Sequence, residues 1–368
     1  MKLITIIIGT RPEAIKLAPV AKIFLNSELI KVRVVLTGQH ENMIEKILEL
    51  FEVPIQANLK LMKKGQSLSE LTSRIVMGLE NEFITNKPNL VILQGDTTTA
   101  LGAALAAFYQ KIKVAHVEAG LRTRNILNPF PEEANRRIIS QIADLHFAPT
   151  EQSKQNLISS NVYGNIVQTG NTVIDALLEV KDKVPNYELK NFNKDKDDLI
   201  LLTVHRRENW GRNLQNICFA IKEIIQKIPN VIFLIPMHPN QIVRDEFLKI
   251  LGKSKKVMLV DPLDYGDLIG AMKMCKIVLT DSGGIQEEAP SLGKPILVLR
   301  ESTERQEGVE AGTAKIIGSN PKAIVEETIN LLQNENEYKK MINYINPYGD
   351  GKASKRIYKA VINFFKVI

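Results

Sequence analysis

Cysteine is scarce in this chain. Its 368 residues hold only Cys218 and Cys275, too few for a disulfide scaffold or a zinc ribbon. Both thiols are therefore expected to be reduced and buried in their apolar surroundings. Long hydrophobic runs are missing as well. The opening run ends at Ile8, before Gly9 and Arg11, too short for a secretory leader and far too short to span a bilayer. The expectation is a cytoplasmic chain with no membrane partner. No Gly-x-Gly-x-x-Gly follows an apolar run and no Walker A sequence occurs, which counts against a nicotinamide cofactor and P-loop ATP chemistry. Concentrated charge is lacking too. The net charge is +7, but 48 basic and 41 acidic residues are interspersed, and the basic runs are pairs such as Lys63-Lys64, Arg136-Arg137 and Lys255-Lys256. Without a basic face or an aromatic-basic platform, no nucleic-acid partner is expected, and the surplus suits a phosphate-bearing ligand. Asp195-Lys196-Asp197 has the look of a metal motif but lies in a polar stretch away from any expected strand end. No metal and no cofactor are expected.

What is present is a soluble composition, 44% hydrophobic and 24% charged, long enough for two domains. Short β-branched runs alternate with helical stretches. The expected strands are Leu3–Ile8, Val32–Leu36, Leu90–Leu93, Lys113–Val117 and Leu145–Ala148, then Leu199–Val204, Val231–Ile235, Val257–Val260, Ile277–Leu279 and Pro295–Leu299. They are continuous rather than alternating, as strands covered on both faces require. The polar, turn-rich stretch Lys183–Asp198 separates the two sets. The expected fold class is α/β: two doubly wound, Rossmann-like parallel-sheet domains with a cleft between them. Ligands then bind outside the carboxyl ends of the strands.

Chemistry-bearing residues recur at those ends. Gly9-Thr10-Arg11-Pro12-Glu13, with Lys16 one turn on, reads equally as an anion site at a helix N-terminus or as a strand–helix turn with solvated charges. Gln94-Gly95-Asp96-Thr97-Thr98-Thr99 puts Asp96 at a strand end, although capping explains one of these residues. His116-Val117-Glu118-Ala119-Gly120-Leu121-Arg122 aims Glu118 and Arg122 the same way, with a core histidine and a salt bridge as the alternative. In Pro129-Phe130-Pro131-Glu132-Glu133-Ala134-Asn135-Arg136-Arg137, Pro131 is expected at the first helical position, with Glu132 and Arg136 on one face. Taken alone, acids in a first helical turn and a surface Glu/Arg pair explain that segment better. His205-Arg206-Arg207-Glu208-Asn209 and His238 end strands of the second half. Asp281-Ser282-Gly283-Gly284-Ile285-Gln286-Glu287-Glu288 is the sharpest local signal. Gly283 and Gly284 let amides approach a pyrophosphate, Glu287 or Glu288 is placed to accept ribose hydroxyls, and Arg305 follows the next strand.

Together with Thr169-Gly170-Asn171-Thr172 and Thr303-Glu304-Arg305, these segments resemble, in order and spacing over nearly the whole chain, the non-hydrolysing UDP-N-acetylglucosamine 2-epimerases. The resemblance implies the two-domain GT-B fold, with domains 1–170 and 171–352 and a C-terminal helix, 353–368, packed back on the first. It implies reversible C2 epimerisation to UDP-N-acetylmannosamine, by elimination of UDP to a glycal and re-addition. Asp96, Glu118, Glu132, Arg136 and His205 match the family's catalytic group. Arg11, Lys16, Ser282, Gly283, Gly284, Glu288 and Arg305 match its positions around UDP and the sugar. Gln39, His40, Arg206 and His238 match a second, regulatory site for UDP-N-acetylglucosamine, beside which Glu41, Gly65 and Arg124 depart from the common pattern. A homodimer is implied as well. The competing readings are a hydrolysing epimerase, which releases free N-acetylmannosamine and UDP, and a GT-B glycosyltransferase, which does not need the acidic group of the first half.

Overall fold

The computed structural model describes residues 1–367 apart from 39–40, 64, 124, 191 and 343–345. The chain forms two compact units, Met1–Glu179 with Tyr348–Ile368, and Val180–Pro347. The division expected at 170/171 thus falls at 179/180. The helix Thr172–Val180 packs with the first unit through Val173 and Ile174, which are buried against Tyr348.

The first sheet is built from β1 (Lys2–Ile8), β2 (Ile30–Leu36), β3 (Ala57–Asn58), β4 (Leu90–Gln94), β5 (Lys113–Val117), β6 (Leu145–Ala148) and β7 (Asn165–Gln168). Its order is β3-β2-β1-β4-β5-β6-β7, with every pairing parallel. The second sheet holds β8 (Asp198–Thr203), β9 (Val231–Pro236), β10 (Val257–Val260), β11 (Ile277–Thr280), β12 (Ile296–Val298) and β13 (Ala314–Ile316). Its order is β10-β9-β8-β11-β12-β13, again wholly parallel. Helices cover both faces, so the central strands are buried beyond their first residue or two, and the Leu-Val-Ile-Leu-Gln of β4 is buried throughout. The sheets hold 7 and 6 strands, more than the apolar runs predict. The additional strands β3, β7 and β13 lie at sheet edges and are half-exposed.

In each sheet the winding reverses once, between β1 and β4 and between β8 and β11. Backbone leaving the carboxyl ends of those strands diverges to opposite sides and opens a crevice. Within the first unit the helix Ala353–Val367 packs on the helix Arg11–Leu25. It buries Ile357 and Val361, and Tyr358 sets its ring 5.2 Å from that of Phe24 and its hydroxyl 2.9 Å from Ser27 Oγ. Its first amides, Ala353 N–H and Ser354 N–H, donate to the Asp175 carboxylate at 3.1 and 2.7 Å. A side chain from another element thus caps this helix. No helix among the described residues is long and apolar enough to cross a membrane.

Candidate active site

The first unit's candidates gather at the β1/β4 reversal and beside it on β5. Gly9 leaves β1 so close to β4's following helix that a methyl there would collide with the Thr99 and Thr37 hydroxyls. The helix begins at Arg11, with Pro12 at its second position. One turn in, the buried Lys16 does not face open solvent. Its ammonium donates to Glu118 Oε1 at 2.6 Å. Glu118 also accepts from Gln94 Nε2, and from Asn171 Nδ2 at 3.3 Å. Its backbone holds φ +62°, a left-handed conformation that costs a non-glycine residue of order 1 kcal/mol or more. Side chains from the helix Arg11–Leu25, from the end of β4 and from the segment after β7 thus fix one carboxylate just past β5, on a strained backbone.

Asp96 follows β4. Capping of the helix Thr98–Tyr109 falls to Thr97, whose hydroxyl accepts from Ala100 N–H at 3.0 Å. That leaves Asp96 to bind the Arg136 guanidinium through two nitrogens, Nε at 3.0 Å and Nη2, while its carbonyl accepts from Asn135 Nδ2 at 2.8 Å. Pro131 caps the helix Glu132–Ile142 instead of opening it. Arg136 makes its second ion pair to Glu133, at 3.1 Å, rather than to Glu132. Glu133 is fully buried and also receives Arg137 and the Thr123 amide. Glu132 is left with a buried Oε2 that has no hydrogen-bond partner among the described residues. Arg122 does not join this group, since it donates to Ser140 Oγ and to the Leu121 carbonyl. His116 backs the Gly95 turn, its Nε2 lying 2.7 Å from the Gly95 carbonyl. Burial drives its basicity down to about pKa 3 against that hydrogen bond, so the ring is neutral.

The second unit's candidates gather at the β8/β11 reversal around Asp281, whose side chain is wholly buried. It accepts from the amides of His205 and Arg206 and from Asn209 Nδ2 at 2.9 Å, binding the loop after β8 to the end of β11. The His205 ring lies 3.5 Å from Asp281 and is 42% exposed. Ser282 precedes the helix Gly283–Glu288 without capping it through its side chain. A methyl on Gly283 would come within 3.0 Å of Arg305 Cζ, whereas one on Gly284 would meet nothing within 4 Å. Gly284 is therefore the open face. Two expected ligand contacts are already engaged: Arg305 binds Glu287 through Nε at 3.0 Å and Nη2 at 2.9 Å, and Glu288 accepts from the Tyr265 hydroxyl at 2.8 Å. Arg206 binds the Asp281 carbonyl and Glu304. Burial works against the Glu304 anion, but Arg305, Arg206 and Arg300 outweigh it and hold the carboxyl near pKa 2. His238 lies against Trp210, with ring centroids 6.0 Å apart, and its Nδ1 accepts from Asn240 N–H. Gln39, His40 and Arg124 lie outside the described residues. Among the described residues, no group of three or more His, Cys, Asp or Glu side chains could hold a metal ion.

Sequence reasoning missed Glu13, Gln94, Asn171 and Tyr265 as parts of these constellations. Thr10-x-x-Glu13 has the spacing of a capping box, a signal that was available. Tyr265 meets Glu288 only through the fold.

Comparison with known proteins matches the chain to one group. The family model for UDP-N-acetylglucosamine 2-epimerase matches residues 24–362. The chain is 46% identical to UDP-N-acetylglucosamine 2-epimerase of Escherichia coli K12, over 99% of both chains. It is 46% identical to that of Campylobacter jejuni over 98% of both. A crystal structure of the Neisseria meningitidis UDP-GlcNAc 2-epimerase bound to UDP-GlcNAc superposes with a TM-score of 0.91 at 45% identity, covering 99% of this chain and 100% of that one. The Methanocaldococcus jannaschii enzyme in complex with UDP-GlcNAc and UDP gives 0.80 at 34% identity, over 98% and 99%. Similarity of this degree over the full length of both chains, carried by two parallel-sheet α/β domains of one architecture, means that the chain belongs to the UDP-N-acetylglucosamine 2-epimerase family.

Proposed function

We propose that this chain interconverts UDP-N-acetylglucosamine and UDP-N-acetylmannosamine by eliminating UDP across C1–C2 and adding it back. The C2 proton of the sugar is not acidic, because no carbonyl adjoins C2 within the ring. In the forward step a carboxylate takes that proton, the C1–C2 double bond forms, and the C1–O bond to UDP breaks with its electrons leaving on the β-phosphate. In the return step a carboxyl group delivers a proton to the opposite face of C2 while the phosphate oxygen re-bonds to C1. Acids and bases on two faces, and donors for a departing pyrophosphate, are the requirements.

The observation that carries this reading is the set of carboxylates at one sheet edge: Asp96 clamped by Arg136, Glu118 by Lys16, and Glu132 with a buried oxygen unpartnered among the described residues. We assign Asp96, Glu118 and Glu132 to proton transfer, and Arg136 and His205 to the charge on the leaving phosphate. Ser282, Gly283, Gly284, Glu288, Arg305 and Arg11 are assigned to UDP and sugar. Lys16, through its contact with Glu118, holds that carboxylate in place. Arg206 and His238 are assigned to a second site for the substrate, read as sigmoidal kinetics that flatten in R206A. The two compact units serve as the functional domains of a cytoplasmic homodimer. Exposed Met77 and Ile84 on one helix, with Phe108 and Tyr109 ending its neighbour, support a self-association face on the first unit.

The test is incubation with UDP-N-acetylglucosamine in D₂O with EDTA present, followed by proton NMR. The expected outcome is UDP-N-acetylmannosamine carrying deuterium at C2. Free N-acetylmannosamine with UDP would move the chain to the hydrolysing class, and an unchanged spectrum would turn the search to glycosyl acceptors.

A further inference from the structure

We infer that Glu13 is a positioning residue, whose carboxylate ties the turn leading into the helix of Arg11 and Lys16 to the turn carrying Asp96 and so sets the spacing of the groups proposed to react. This inference rests on the proposed function for its catalytic meaning and on geometry for the tie itself. Glu13 is 1% exposed. Its Oε2 accepts from Gly9 N–H at 2.6 Å and from Thr10 N–H at 2.7 Å, both in the turn after β1. Its Oε1 accepts from the Thr97 hydroxyl, which stands in the turn after β4, immediately beyond Asp96. One carboxylate therefore spans the two connections that flank the reversal of the first sheet.

Capping alone does not call for such burial. At the helix Leu68–Thr85 the chain builds the same kind of cap on the surface, where Glu70 accepts from Ser67 N–H at 2.8 Å in full contact with solvent. Burial of Glu13 pushes its carboxyl above the usual range, against the lowering pull of Thr97 and of the Gly9 and Thr10 amides. A buried carboxylate held by neutral donors is a costly way to end a helix. It is an effective way to lock two loops together, because a displacement of about 1 Å at reacting groups is enough to lose about a hundredfold in rate.

The experiment compares wild type, E13Q, T97V, T97S and the E13Q/T97V double variant. It reads kcat and KM with UDP-N-acetylglucosamine, and amide hydrogen exchange in segments 9–16 and 95–100. E13Q is expected to lower kcat by about 10- to 100-fold with KM changed less than about threefold, and to speed exchange in both segments. T97V should move both readouts in the same direction, T97S should stay near wild type, and the double variant should be no worse than E13Q. The inference is overturned if E13Q keeps kcat within about twofold of wild type, if exchange rises only in segment 9–16, or if the two single effects multiply as independent ones. Should E13Q not fold, T97V and T97S decide by the same readouts. A wild type without epimerase turnover would refute the proposed function, while hydrogen exchange would still judge the tie.

Discussion

Glu132 Oε2 is shut away from solvent with no hydrogen-bond partner among the described residues, an arrangement that costs of order 1–3 kcal/mol. If Glu132 transfers a proton as proposed, that oxygen is the one available to a ligand's proton or hydroxyl. E132Q is therefore expected to reduce turnover by at least about a thousandfold while leaving UDP affinity within about twofold. Titration calorimetry beside the NMR assay checks this, and simultaneous loss of both would remove Glu132 from the chemistry. His116 gives a prediction in pH. Its folded pKa of about 3 lies below the ordinary 6.5, so between these values the unfolded chain binds a proton that the native chain refuses. Stability must fall as pH drops through that window, by about 2 kcal/mol at pH 5 from this residue alone. Burial lowers His146 in the same direction. Thermal unfolding should show a lower midpoint at pH 5 than at pH 7, and a shallower drop in H116Q. At this scale the positions of Asp96, Glu118 and His205 were legible because each follows a strand end. Their partners were not: Lys16 to Glu118 spans 102 residues and Arg136 to Asp96 spans 40. Local pattern instead offered the i,i+4 pair of Glu132 and Arg136, which the structure does not form.

The helix Ala353–Val367 owes its N-terminal cap to Asp175, and burial raises that carboxyl above its usual range even as the Ser354 and Ala353 amides pull it down. D175A removes the acceptor from two buried amides. It should destabilise the chain by about 1–3 kcal/mol, read as a lower denaturant midpoint with faster exchange across 353–358. Strands buried on both faces were legible to within a residue or two, β5 and β6 to the residue, because burial on two sides forces an unbroken apolar run; β10, at a sheet edge and half-exposed, was legible as well because its Val-Met-Leu-Val is an unbroken apolar run. The other edge strands, β3, β7 and β13, were not. Each has 2 to 4 residues and partial exposure, too little for periodicity to register. The proline-bounded start of the helix Glu132–Ile142 was placed one position off, since a proline's fixed φ suits both the cap and the first turn.

Two parallel sheets, each with one reversal of winding, account for where the candidate residues lie, and that architecture was legible from the alternation of strands and helices. The unit boundary was not, because a polar segment marks a surface and says nothing of which body a neighbouring helix packs on. If the β8/β11 loops bind UDP as proposed, the nucleotide at about 100 times its Kd should stabilise the chain by about 2.7 kcal/mol. Calorimetry should then show a midpoint rise of a few degrees, which S282A and R305A diminish. Light scattering should return twice the chain mass of 41.3 kDa. The unit that holds Asp96 and Glu118 also has an order of manufacture. Its larger segment, Met1–Glu179, is made before the other unit and its smaller one after it, yet the Asn171 amide needs the Tyr348 carbonyl, and Asp175 needs the amides of Ala353 and Ser354. Because synthesis proceeds at about 5–20 residues per second, the body begun first has to wait while Val180–Pro347 is translated. A message cut short just after Pro347 would release a second unit with all its residues and a first unit still missing the strap on which Asn171, and through it Glu118, depends.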